Sequence, residues 1–243
     1  MILNRLIPFF IRKGRLLIAN DASGDELWEI EPDGSDTQGI NLREFPTNLL
    51  VPTSMTKFQG SLLVGDQSGA DLWDIDPDGS DSQGTELRKM SVGSLFIAMA
   101  DYNERLIALT TISYYYGLWE IDPDSGNNSQ GTKLRDIFFN TPLTTGGMTT
   151  FNSRLLILTY SLDALWEVDP DGSSLQKLRN LPSTVNGDGR GLADYNGRLL
   201  FCTRNPNGAD ELWEIDPDGN DSEGTKLRNL PSGLVAPRAM TTF

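Results

Sequence analysis

The sequence contains no histidine and only one cysteine. Without histidine, neither a Ser-His-Asp nor a Cys-His nucleophilic arrangement is available. Together the two absences exclude a zinc site, which needs several imidazole or thiolate ligands. Cys202 has no partner for an internal disulfide, and its apolar run "LLFCT" reads as a buried, inert thiol. Basic residues are also scarce: 20 Lys plus Arg stand against 34 Asp plus Glu, for a net charge of −14. Such a chain lacks the basic face with which proteins displace counterions from nucleic acid, and it is disfavoured at an anionic membrane surface. No apolar run approaches the roughly 20 residues of a membrane span. The amino-terminal "MILNRLIPFFIRKGRLL" is apolar, but Arg5, Arg12 and Lys13 interrupt it and no small-residue cleavage site follows, so it makes a poor signal peptide. Localisation stays open on these grounds. No Walker or dinucleotide-binding loop is present, and helical periodicity is absent throughout.

What the chain has in quantity is one repeated unit. Trp28, Trp73, Trp119, Trp166 and Trp213 comprise all its tryptophan, at spacings of 45, 46, 47 and 47 residues, each inside "LWEIEPDG", "LWDIDPDG", "LWEIDPDS", "LWEVDPDG" or "LWEIDPDG". A period of 40–50 residues carrying several short strands is the mark of propeller blades. Each unit reads as a short strand such as "GMTTF", a two-residue turn such as Asn196-Gly197, a strand such as "RLLIL", a variable loop, "LWEID", an acidic turn and "TKLRNL". Asn-Gly links favour primed turns that match strand twist. The expectation is an all-β fold: a five-bladed β-propeller of four-stranded antiparallel blades, with residues 1–12 as a tail and 13–243 as one domain. The chain ends on "AMTTF", a first strand, while its first full strand, "RLLIAN", is a second strand. The carboxy-terminal strand is therefore expected to complete the blade begun by Arg15–Phe45 and close the ring. The tail segment "LIPFFI" competes for the same slot, but Phe243, not its aromatics, matches Phe58, Phe151 and Tyr195 in register.

The pattern "NGRLL…LWEIDPDG" resembles blades of the broad propeller group with NHL, YWTD and SMP-30-like repeats, and the five-bladed plan is similar to that of tachylectin-2-like lectins, whose own blade motifs are absent. The resemblance implies a fold shared by binding proteins, lectins and hydrolases.

Along "LWEID", Leu and Glu face one side and Trp and Ile the other. The tryptophans are expected to pack between blades, an aromatic ligand cage being the alternative. The acid after each Trp (Glu29, Asp74, Glu120, Glu167, Glu214) and the Arg of each last strand (Arg43, Arg88, Arg135, Arg179, Arg228) are expected to pair as part-buried ion pairs. In the acidic turns, Asp76, Asp78 and Asp81, and likewise Asp216, Asp218 and Asp221, alternate oxygen donors with glycine in the manner of a calcium loop. Pro-Asp-Gly is equally the chemistry of a tight turn, and no Glu follows at EF-hand distance. The turn reading is preferred, no cofactor is expected, and calcium is the alternative. Thirteen acids lie in these turns and account for all but one of the fourteen net negative charges, which places the charge on one rim.

On a symmetric scaffold, function belongs where the copies differ. Around blade three, "TTISYYYGLWE" supplies Tyr114, Tyr115 and Tyr116, and the link "RDIFFNTPLTTGG" adds Phe138 and Phe139. Loops between second and third strands and links between blades emerge on one face, so these five aromatics form either a binding patch or inter-blade filler. The innermost strands differ at Lys57, Asp101, Thr150, Asp194 and Thr242. Asp101 and Asp194 at the central channel suggest a cation site or a glycosidase acid–base pair, against solvated or Lys-paired channel residues. The leading expectation is a monomeric, non-enzymatic scaffold that presents loops to a protein partner. A carbohydrate-binding propeller is second, and a glycoside or lactone hydrolase third.

Overall fold

The computed structural model describes residues 14–21, 25–34, 39–67, 71–80, 83–89, 95–112, 115–125, 131–138, 145–159, 163–185, 187–221 and 223–243. Twenty strands and no helix occur among these residues, grouped as five four-stranded antiparallel sheets. The first sheet comprises β1 (Leu16–Asn20), β2 (Glu26–Ile30) and β3 (Ile40–Glu44); the second comprises β4 (Pro52–Phe58), β5 (Ser61–Asp66), β6 (Asp71–Ile75) and β7 (Thr85–Lys89). The third holds β8 (Leu95–Tyr102), β9 (Arg105–Ile112), β10 (Tyr115–Ile121) and β11 (Thr132–Ile137); the fourth holds β12 (Thr145–Phe151), β13 (Arg154–Thr159), β14 (Ala164–Val168) and β15 (Leu175–Asn180). The fifth holds β16 (Asp188–Tyr195), β17 (Arg198–Arg204), β18 (Glu211–Ile215) and β19 (Thr225–Asn229). The last strand, β20 (Pro237–Thr242), returns to the first sheet and pairs with β1, Ile18 opposite Met240. Reciprocal main-chain bonds between Arg15 and Phe243, at 2.9 and 2.8 Å, finish the join. The inner strands β4, β8, β12, β16 and β20 touch in a closed circle, so the sheets form a five-bladed propeller closed by the carboxy-terminal strand. The competing amino-terminal segment lies outside the described residues.

Local sequence explains the hairpins. Gln59-Gly60, Asn103-Glu104, Asn152-Ser153 and Asn196-Gly197 all have positive φ at both residues, as primed two-residue turns require. In every blade the pairing of third and fourth strands slips by one residue at the Leu–Trp step, for example Leu27 opposite Arg43 but Trp28 opposite Asn41. The skipped residue of the fourth strand, such as Leu42, makes a β-bulge, which adds twist to the blade edge.

Five apolar clusters fill the five seams between blades, and each tryptophan packs toward the preceding blade. Trp73 joins Leu17, Leu27 and Met55 at the first seam, and Trp213 joins Leu158, Leu192 and Phe201 at the fourth. Leu72 faces the other way, against Phe96 and Met99, which confirms the alternation read from "LWEID". Cys202 is buried at the fifth seam, its thiol donating to Arg190 O at 3.2 Å, and burial pushes that thiol's pKa up.

Candidate functional site

The acidic turns form around their own first aspartate. Asp78 N donates to Asp76 Oδ1 and Gly79 N to Asp76 O, both at 3.0 Å. The same Asx turn recurs at Asp122, Asp169 and Asp216. Each turn then points a carbonyl at the last-strand arginine of the blade before it. Arg43 donates to Asp76 O (2.7 Å), Arg88 to Asp122 O (2.6 Å), Arg135 to Asp169 O (3.1 Å), Arg179 to Asp216 O (2.7 Å) and Arg228 to Glu31 O (2.9 Å). This corrects the expected pairing: these arginines clasp main-chain carbonyls of the next blade, not the acids after Trp. The bulge at the fourth strand moves the arginine one residue further from that acid.

The acids after Trp pair instead with the arginine that opens the second strand: Arg15 with Glu29, Arg105 with Glu120, Arg154 with Glu167 and Arg198 with Glu214, at 2.8–2.9 Å. Each of these arginines also reaches the second Asp of the next turn round the ring: Arg15–Asp78, Arg105–Asp171, Arg154–Asp218 and Arg198–Asp33. The acidic rim is thus interleaved with arginine. Blade two departs from the pattern, because Ser61 stands in the arginine's place and donates to Asp74 Oδ2 at 3.1 Å. Of the calcium candidates, Asp76 and Asp216 use Oδ1 on their own turns, and Asp78 and Asp218 are ion-paired. Asp221 accepts the Asn180 main-chain and side-chain amides at 2.7 Å, while Asp81 lies outside the described residues. No group of three His, Cys, Asp or Glu side chains is arranged to hold a metal among the described residues.

The mouth of the channel brings Lys57, Asp101, Thr150, Asp194 and Thr242 round one small hollow of about 130 Å3. Lys57 Nζ lies 4.9 Å from the centre of the Phe243 ring. Asp101 Oδ1 accepts the Glu104 amide at 3.1 Å and Asp194 Oδ1 the Gly197 amide at 2.8 Å, so both carboxylates cap the hairpins that follow them. Thr150 and Thr242 donate to the Asp101 and Asp194 carbonyls, stitching neighbouring inner strands together. Burial raises the Asp101 pKa. These contacts tie neighbouring inner strands together and leave Asp101 and Asp194 on the same hollow.

On the opposite, loop face, two of the blade-three aromatics, Tyr116 and Phe138, have described side chains. Tyr116 is 6% exposed and packs with Leu118 and Ile137 against Met148 and Ile157 of blade four, making it filler at the third seam. Phe138 is 68% exposed. It stands where other links carry Pro46, Pro182 and Pro231, all of them buried. Tyr114, Phe139 and the Tyr115 side chain lie outside the described residues. Two further apolar side chains are exposed on other links, Leu50 at 55% and Val235 at 51%, at places equivalent to each other and further along the link than Phe138.

Among the described residues a cleft of about 980 Å3 on this face lies between the fifth and first blades, and the sequence reading missed it. Its walls are the loop Arg204–Asp210 and the link Leu230–Ala236, with Trp28 at its floor. The available signal was length, since "RNPNGAD" is the longest second-to-third-strand loop of the five. Asp210 fastens the two walls: Oδ1 accepts Asn205 N at 2.6 Å and Oδ2 accepts Ala236 N at 3.1 Å. Burial raises its pKa all the same. Asp66 does the equivalent work at the first link, accepting the amides of Leu50 and Val51. Between these, Asp25 is pushed up to about 6, first by burial and then by Asp21 and Asp66.

No protein-family model and no curated protein matches the chain. Solved structures do. The chain is similar to one in a nidogen/laminin complex (13% identity, 95% of this chain and 82% of that one, TM-score 0.55). It is also similar to glutaminyl cyclase of Myxococcus xanthus (14% identity, 82% and 77%, TM-score 0.52). A PQQ-bound aldose sugar dehydrogenase from Streptomyces coelicolor aligns at 19% identity over 86% and 70%, with a TM-score of 0.48. At these identities the likeness is one of fold alone.

Proposed function

We propose that this propeller is a non-enzymatic scaffold whose loop face binds a protein partner. The observation that supports the reading is the placement of exposed apolar side chains. Three of the four large ones among the described residues, Leu50, Phe138 and Val235, stand on blade-to-blade links and so share one face. They belong to the first, third and fifth links and ring the disc instead of converging on one pocket. A broad protein surface covers such an arrangement; a single small ligand does not. The test is a triple variant, Leu50→Ser with Phe138→Ser and Val235→Ser, compared with wild type in capture of partners followed by calorimetry. Loss of binding with an unchanged melting temperature supports the reading, and undiminished binding refutes it.

A second reading, a carbohydrate-binding propeller, draws support from two equivalent grooves on the acidic face. One, about 670 Å3, lies at the first seam beside Phe243, Ser61 and Asp74; the other, about 400 Å3, lies at the fourth beside Phe151, Arg198 and Glu214. An aromatic edge beside carboxylates suits a sugar. A glycan array followed by titration decides it, since equivalent seam sites would give more than one sugar per chain.

A further inference from the structure

We propose that the cleft between the fifth and first blades is an anchor pocket for an extended segment of the partner, one that carries a carboxylate beside an aliphatic side chain. This rests on the loop-face reading and names the chemistry recognised there. The cleft, at about 980 Å3, falls within the range of ligand-sized sites. Its two rims, Pro206–Ala209 and Ser232–Gly233, are exposed loops that leave an open trough between them. The floor is apolar and fixed. Trp28 Nε1 is held by Glu26 Oε2 at 2.9 Å, and its ring edge lies so close beneath Gly233 that a Cβ there would come within 2.9 Å of it. Leu230, Pro231 and Leu234 are buried behind the trough and hold its wall, and the aliphatic surface it offers is Val235, 51% exposed.

The recognising charge is Arg204. It lines the cleft and forms no salt bridge among the described residues, and its charge acts on the Asp210 carboxylate across the cleft, lowering that group's pKa against the larger effect of burial. Its neighbours are already committed. Asp210 gives its oxygens to two amides, and Asp188, opposite Arg204 in the β16–β17 register, pairs with Arg190 at 3.5 Å. The position is peculiar to this blade, for the equivalent residues are Asp21, Gln67 and Thr111 in the first three. A guanidinium beside an aliphatic surface matches a carboxylate held by a forked pair of hydrogen bonds. A phosphate fits worse, because the cleft offers one cation and the Asp210 carboxylate, which opposes any anion, opposes a dianion about twice as strongly as a single carboxylate.

The test uses the full chain with N-acetylleucine, and N-acetylleucinamide as the uncharged match, followed by amide chemical shifts. The expected result is saturable shifts of Gly208, Ser232 and Gly233, with the carboxylate bound about tenfold more tightly than the amide. Arg204→Gln should erase that preference and Arg204→Lys should keep part of it. Equal binding of both compounds, shifts centred elsewhere, or a preference that survives Arg204→Gln would overturn the proposal. Its failure is distinct from failure of the loop-face reading. A partner lost with Leu50→Ser and Phe138→Ser but held by Arg204→Gln refutes the anchor alone. A cleft that binds N-acetylleucine in a protein whose partner ignores the link variants refutes the loop face alone.

Discussion

Replacing Arg179 by Met tests whether the buried arginines hold the blades together. Arg179 is 2% exposed, and its guanidinium donates to Asn180 O at 3.1 Å, Asp216 O at 2.7 Å and Glu223 O, the last two in the next blade. Burial lowers its pKa, so the charge sits at a cost in desolvation that the three carbonyls must offset. Hydrogen bonds from a charged donor contribute about 1.5–3 kcal/mol each. The desolvation recovered by substituting methionine is several kcal/mol, about the gain from two of them. Asp216 O would keep the Gly219 amide at 3.1 Å, whereas Glu223 O would lose the guanidinium. The net expectation is a loss of about 2–4 kcal/mol, read as a lower urea midpoint with unchanged slope. A companion cycle separates the two sets of arginines: Glu214 should couple to Arg198 and not to Arg228. A loss below about 1 kcal/mol for Arg179→Met, or measurable Arg228–Glu214 coupling, would refute the clasp.

Ser61→Arg should complete the rim of bridges between Asp74 and Asp124, adding about 0.5 kcal/mol and raising the melting temperature by roughly 1–2 °C, an effect that high salt should remove. Asp25→Asn should flatten the pH dependence of stability. With a folded pKa of about 6 against an ordinary 3.8, the folded state holds this proton more tightly than the unfolded chain. The resulting stability is full below the ordinary value and lost as pH rises through 6, so the Asn variant should be the more stable above that point, by about 1 kcal/mol after allowance for solvent screening. Deleting Ala239–Phe243 should cost several kcal/mol or cause association, because it removes buried Met240 and Ala239 and leaves β1 with an open edge. A truncated chain that melts like the whole would contradict closure by β20.

The fold was legible because its signals are local and repeated five times. Asn196-Gly197 states the turn type, "LWEID" states the alternation, and Phe243 falls in register with Phe58, Phe151 and Tyr195. The destination of Arg43 was not legible, because its acceptors are carbonyls, which no side-chain pattern records, and because the bulge at Leu42 disturbs the alternation from which pairing was read. Tyr116 takes the filler alternative, for which a signal was present in the sequence. It lies two residues before Leu118 on the same strand, so the two share a face, and that face is core. The cleft at the fifth seam was not legible because "RNPNGAD" differs from its sisters only in length and in one arginine, and a cavity between two loops has no residue pattern of its own.

The most direct test of the loop-face account is hydrogen exchange of the full chain with and without its captured partner. Protection should appear at residues 45–51, 137–138 and 230–236, the described parts of the links that carry Leu50, Phe138 and Val235, while the acidic turns at Asp76–Gly79 and Asp216–Gly219 exchange as before. Protection confined to those turns, with the links unchanged, would contradict it.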